Sequence, residues 1–247
     1  MGPYFVIINT LTKRSIFLGK TRWIVFSVIV VGFLTLLIVF SGGSRTDVNN
    51  IDTAAIQKAS DQNGQIADHV FGKIGSKVTL IEYGDYQCPP CGNIFPVVKS
   101  ITNQYKNQLQ YVFRNFPIPE LHPNAKAAAA VAEAAGLQDR YWEMHDKLYE
   151  TQADWSDLSV ADRLKYFDKI AGEVGLDVKK FDTDLLKKSI GEKISFDIAL
   201  GSKAGVDATP TFFLNGVKLD TSAYSSESQF KKTIDTALKK AGIALPK

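Results

Sequence analysis

The chain has 247 residues, of which 45% are hydrophobic, 22% charged and 11% aromatic. That composition excludes a disordered, collagen-like or polytopic membrane protein, and the length allows one domain or two small ones. A net charge of +3 and a pI of about 8.7 suggest an acidic partner only if the charge is evenly spread, and it is not.

Residues 1–45 hold Lys13, Arg14, Lys20, Arg22 and Arg45 and no acid, a charge of +5, which leaves 24 Lys and Arg against all 26 acids, a charge of −2, in the rest. The slightly acidic remainder removes the case for nucleic-acid binding. Within the basic segment, Trp23 to Phe40 is an eighteen-residue run without a charge. As a helix it spans roughly 27 Å, close to a bilayer core. Four basic residues precede it and Arg45 alone follows closely, so the positive-inside rule predicts residues 1–22 as cytoplasmic, 23–40 as an N-terminal transmembrane anchor and the rest as extracytoplasmic, a single-pass cell-membrane protein. A cleavable signal peptide cut after Gly43 is the competing reading. The length of the apolar run and of its basic lead favour the anchor.

Residues 41–65 are small, polar and poor in aromatics, which reads as a tether with a short helix around Ile51–Ala59. From residue 66 to 247 strands and amphipathic helices alternate. Val78–Tyr83 reads as a buried strand, followed by a helix opened by Cys88 and running to Tyr105, then a strand at Leu109–Phe116 ended by Pro117 and Pro119. Helices are predicted from Asn124, as N-cap, to Gly136, from Asp139 through Leu148, over Leu158–Val174 and over Val178 to about Ser202, with a break at Gly191. The stripe Leu186, Ile190, Ile194, Ile198 reads as core. Thr211–Leu214, a turn at Asn215-Gly216 and Val217–Leu219 form a hairpin, and Ser226–Lys240 a closing helix. The result is an α/β sheet interrupted by one helical insertion at about 124–203.

The two cysteines of the chain lie in Cys88-Pro89-Pro90-Cys91, at a predicted helix start. This spacing permits an intramolecular disulfide. The unpaired N–H groups and positive end of the helix favour a thiolate on Cys88, the nucleophile, and Cys91, one turn in, is suited to close the ring. Both prolines fit the first turn and stiffen it. A zinc site lacks further ligands beyond His69, His122 and His145, haem attachment fails because Gly92 stands where histidine is required, and a merely structural disulfide would close too small a ring to stabilise much. No metal is predicted. Glu82, inside an apolar strand, has two readings: a buried acid of raised pKa, or a strand-end acid that reaches solvent or pairs with a lysine. Asp85 reads as a turn residue, His122 as a loop histidine before a capped helix, and His145 as a histidine on a half-buried helix face.

The segments DHVFG, VTLIEYGDYQCPPC, HPNAKAAAAVAEAAG with YWEMHDKLYE, and GVDATPTFFLNG, in this order between Asp68 and Lys240, resemble the DsbA-like branch of the thioredoxin superfamily in its membrane-anchored bacterial form. The resemblance implies a thioredoxin-like fold with an inserted helical domain, a cis bond between Thr209 and Pro210 in a loop beside the cysteines that pairs with substrate, and a role for Glu82 in proton exchange with Cys91. It implies a dithiol oxidase that forms disulfides in exported cysteine-containing proteins and is reoxidised by a quinone-linked membrane partner of the DsbB or vitamin K epoxide reductase type, without a bound cofactor. DsbA carries Pro-His between its cysteines; here Pro90 brings neither charge nor N–H. The potential is therefore expected between about −270 mV of thioredoxin and about −120 mV of DsbA. The rival readings are a membrane-anchored reductase or isomerase and a non-enzymatic thioredoxin-like or metallochaperone module.

Overall fold

The structure, a computed structural model, describes residues 46–246. The predicted cytoplasmic segment 1–22, the anchor 23–40 and the first residues of the tether lie outside the described residues. Among the described residues no helix is long and apolar enough to cross a membrane.

A five-stranded sheet in the order β1-β3-β2-β4-β5 forms the centre, from β1 (Val70–Gly72), β2 (Thr79–Gly84), β3 (Gln110–Asn115), β4 (Thr211–Leu214) and β5 (Val217–Lys218). β2 runs parallel to β3, with Glu82 opposite Phe113, and antiparallel to β4, with Glu82 opposite Phe212. β2 and β3 are covered on both faces, which is why both read as near-continuous apolar runs. Side chains alternate between two cores: Leu80, Tyr111, Phe113 and Phe212 join the cluster that contains the cysteines, while Ile81, Tyr83, Val112 and Phe213 pack in the other with Phe196. β1 is not evident in the sequence, since three residues carry no readable alternation. The hairpin turn has Asn215 at φ 51° and Gly216 at φ 79°, the left-handed pair that a tight two-residue turn requires. Asn215 also exchanges hydrogen bonds with Thr79, its N–H donating to the Thr79 carbonyl and its Oδ1 accepting from the Thr79 N–H, both at 2.8 Å.

Helix α1 (Pro89–Gln104) lies between β2 and β3 in the chain. The insertion follows β3 as α2 (Ala125–Gly136), α3 (Tyr141–Glu150), the single turn α4 (Gln152–Trp155), α5 (Val160–Glu173), α6 (Val178–Leu185) and α7 (Lys188–Lys203). α8 (Glu227–Lys240) closes the chain, capped by Ser226, which accepts from the Gln229 N–H.

Four sequence expectations are corrected. The break in the helix predicted from Val178 to about Ser202 falls at Leu186-Lys187 and not at Gly191, because burial of Ile190, Lys193, Ile194 and Asp197 outweighs the roughly 1 kcal/mol that a glycine costs in a helix. Leu186 sits in that break, 87% exposed, and so is not core. Asn124 does not cap α2 with its side chain, which instead donates to the carbonyls of Ser156 and Leu158 at 2.9 and 3.1 Å. The described part of the predicted tether is packed on the domain and has no helix at 51–59. Val48 is buried, the Lys203 ammonium donates to the carbonyls of Val48, Asn49 and Ile51, and the Arg114 guanidinium donates to those of Thr53 and Ala55. Cations from the domain satisfy backbone carbonyls that composition alone assigns to water. Arg114 also pairs with Asp68 at 2.8 Å, and Lys193 bridges Asp68 and Asp197 at 3.0 and 2.7 Å, all of them buried.

Candidate active site

Cys88 leaves β2 through the turn 85–87 and is the N-cap of α1, with φ −68° and ψ 120°, and Pro89 and Pro90 take the first helical positions. The prolines are exposed and form the rim; Cys88 retains 4% exposure and Cys91 none. The Thr209-Pro210 bond is cis, and the Cys88 thiol donates to the Thr209 carbonyl at 3.3 Å. The fold thus brings the loop before β4 against the start of α1, and places Cys88, Cys91, Pro89, Pro90, Thr209 and Pro210 together.

The two sulfurs are chemically unequal. A hydrogen bond from the Cys91 thiol, joined by Thr209 and by the Cys91 backbone N–H and opposed by burial, brings the Cys88 thiol down to about 6. This exceeds the change of about one pKa unit that a helix end supplies, because several donors converge on one sulfur. The Thr209 hydroxyl is buried without another partner and is free to serve the thiolate. Cys91 is displaced far upward, by burial first and by its hydrogen bond to Cys88 second. The cysteines are unbridged, so this is the dithiol form.

Glu82 lies in β2 beneath the pair, 3% exposed, so it does not reach solvent. Burial lifts its carboxyl to about 7, while a hydrogen bond from the Tyr111 hydroxyl at 2.7 Å restrains the rise. A group titrating near neutrality close to a thiol that must lose and regain a proton is suited to exchange that proton.

Several residues of the site left no readable pattern in the sequence. Gln87 donates through Nε2 to the Ser156 carbonyl and accepts through Oε1 from the Asn124 N–H, tying the turn to the insertion. Gln152 donates through Nε2 to the carbonyls of Tyr86 and Cys88 at 2.7 and 3.0 Å. Asp85 is a turn residue as expected, its Oδ1 accepting from the Gln87 N–H at 2.8 Å, but its Oδ2 also accepts from Ile118 N–H at 3.0 Å and meets His122 Nδ1 at 2.7 Å. His122 is therefore more than a loop histidine. His145 is fully packed rather than half-buried, in an aromatic nest with Phe113 and Trp142, where burial lowers its pKa. Among the described residues no group of three His, Cys, Asp or Glu is arranged to hold a metal ion.

Comparison with known proteins agrees with this geometry. The family described as Thioredoxin matches residues 65–236. Solved structures with the same fold include a thioredoxin-like oxidoreductase from Silicibacter pomeroyi (28% identity, TM-score 0.57, 72% of this chain and 94% of that one). Two others are alpha-DsbA1 of Wolbachia pipientis (25%, 0.62, 70% and 92%) and oxidised BdbD of Bacillus subtilis (25%, 0.60, 76% and 100%). Among curated proteins, the Na(+)/H(+) antiporter NhaA 1 of Salinispora arenicola is 39% identical over 149 residues, 60% of this chain, and the match spans only 22% of the antiporter's length. The structural neighbours support a thiol–disulfide oxidoreductase in general terms. By the match over residues 65–236, the sheet order and the cysteine pair at the start of α1, the chain belongs to the thioredoxin family.

Proposed function

We propose that the protein is an extracytoplasmic protein disulfide oxidoreductase of DsbA-like type, a dithiol oxidase held at the cell membrane by residues 23–40. The observation that carries this reading is the asymmetry of the pair, with a Cys88 thiol at about 6 and a Cys91 thiol far above its ordinary value. In the disulfide form, a substrate thiolate attacks Cys88 Sγ; the Cys88–Cys91 bond breaks, Cys91 takes the electron pair and then a proton, and a mixed disulfide joins substrate to Cys88. A second substrate thiolate attacks the substrate sulfur and expels the Cys88 thiolate. The substrate leaves oxidised and the enzyme leaves as the dithiol, two electrons richer. A low Cys88 pKa makes that sulfur the good leaving group, and Glu82 supplies and later removes the Cys91 proton.

The Thr209-Pro210 loop offers the backbone against which an extended substrate segment pairs. Regeneration requires an oxidant, for which a quinone-linked membrane protein of the DsbB or vitamin K epoxide reductase type is proposed. The charge-free run 23–40 and the basic residues before it support the membrane placement. Trapping tests the reading: Cys91→Ala expressed in the native host is expected to accumulate dithiothreitol-sensitive adducts of Cys88 with exported proteins. Absence of adducts, with Cys88 still alkylatable, would overturn it.

A further inference from the structure

Asp85 is an awkward neighbour for a thiolate. It stands three residues before Cys88, is 1% exposed, and its carbonyl accepts the Cys88 N–H at 3.1 Å. Its charge opposes ionisation of Cys88. It is the smallest of the influences on that thiol, but it acts in a buried site that water screens little. Pro89 and Pro90 bring no cation to offset it. Two of the three side-chain partners of Asp85 are backbone N–H groups, of Gln87 and Ile118, and the third is the imidazole of His122. His122 comes from the segment between β3 and α2 and is largely buried, its side chain 16% exposed. A proton on Nδ1, aimed at Asp85 Oδ2 from 2.7 Å, polarises that carboxylate away from Cys88.

We propose that His122 is a positioning residue that sets the redox poise of the Cys88–Cys91 pair by holding and offsetting the Asp85 carboxylate. It acts from outside the cysteine loop, in place of a cation within it. Because thiolate stabilisation favours the dithiol form, His122 makes the disulfide more oxidising. The inference rests on the reading that the pair cycles between dithiol and disulfide.

The test is equilibration of the full-length protein in glutathione buffers at pH 7. Two glutathione thiols there deliver two electrons and two protons to the Cys88–Cys91 disulfide, giving the dithiol and glutathione disulfide. His122→Phe, which keeps a ring but removes the donor, is expected to lower the equilibrium constant for reduction about 10-fold, or about 30 mV. It should also move the midpoint of Cys88 alkylation to higher pH. Asp85→Asn is expected to move both in the opposite direction, and in that background His122→Phe should change the constant less than twofold. His122→Gln, a neutral donor, should recover part of the loss. An unchanged constant in His122→Phe, or an equal loss with and without the Asp85 charge, would overturn the proposal. If His122→Phe fails to fold, His122→Ala is read in the same cycle. A pair that does not equilibrate with glutathione at all contradicts the underlying oxidoreductase reading instead, and a normal equilibrium with no substrate adducts in the host contradicts only the oxidase role.

Discussion

The side-chain amide of Gln152 donates to the backbone carbonyl of Cys88 at 3.0 Å, so a residue of the helical insertion holds the nucleophile's own peptide unit. The same amide reaches the Tyr86 carbonyl, and a Cβ added at Gly92 would run into the Gln152 side chain. Gln152→Ala is expected to cost about 1–3 kcal/mol by leaving the Tyr86 carbonyl unpaired and the Cys88 carbonyl with the Gly92 N–H alone. Thermal unfolding should fall by a few degrees per kcal/mol, with slower insulin reduction. Gly92→Ala should reproduce the loss of activity by displacing Gln152. Wild-type melting and activity in both variants would contradict this clamp.

Glu82 makes the reduced protein less stable as pH rises. Its carboxyl titrates at about 7 in the folded chain against 4.5 ordinarily, so between those values the unfolded chain has lost a proton that the folded one retains. Stability from this group is full below about 4.5, declines through about 7 and is flat above, a total on the order of 3 kcal/mol. Glu82→Gln should abolish that slope, so that urea unfolding finds variant and wild type diverging between pH 4.5 and 7 in favour of the variant. Parallel curves over that range would contradict the burial argument.

Selective alkylation follows from the unequal sulfurs. Iodoacetamide should modify Cys88 with a midpoint near pH 6 and leave Cys91 unmodified in the folded protein, as read by peptide mass spectrometry. A Cys88 pKa of about 6 lies between those of thioredoxin, about 7, and DsbA, about 3.5. The potential from glutathione equilibration is accordingly expected between about −270 and about −120 mV. A value at either extreme would contradict it.

The buried ions of the opposite core predict a different phenotype. Asp68 accepts from both Arg114 and Lys193, at 2.8 and 3.0 Å, and its carboxyl sits at about 2 because these two cations outweigh the cost of burying it. Asp68→Asn leaves two buried cations short of a counter-charge and is expected to destabilise the protein by about 3–5 kcal/mol. Because this cluster packs against residues 53–57, limited proteolysis should cut there sooner in the variant, while the alkylation midpoint of Cys88 stays near 6. Unchanged proteolysis and melting would contradict the role of Asp68 as the centre of the network.

What could be read from the sequence divides along a physical line. The cysteine helix, the two central strands, the hairpin at Asn215-Gly216 and the loop at Pro210 were legible because each rests on a local rule: spacing, apolar runs, left-handed turn residues or a motif. The packed segment 46–65, the roles of Gln87 and Gln152, and the pairing of His122 with Asp85 depend on side chains meeting distant backbone or one another. Arg114 and Thr53 are 61 residues apart in the chain, and Gln152 and Cys88 are 64 apart. Composition made 46–65 look solvated, since nothing local announces that Lys203 and Arg114 will take its carbonyls. Glu82 lay between: its apolar strand signalled a buried acid, but its partner, Tyr111, could be found only from the register of β2 against β3.

The proposed direction of electron flow is tested most directly by the redox state of Cys88 and Cys91 in growing cells, fixed by acid quenching and thiol labelling. A dithiol oxidase coupled to a membrane oxidant is expected to be found mostly as the Cys88–Cys91 disulfide, and to become mostly dithiol when respiration is blocked. A pair found mostly as dithiol in respiring cells would contradict the oxidase role and make the protein a reductase or isomerase.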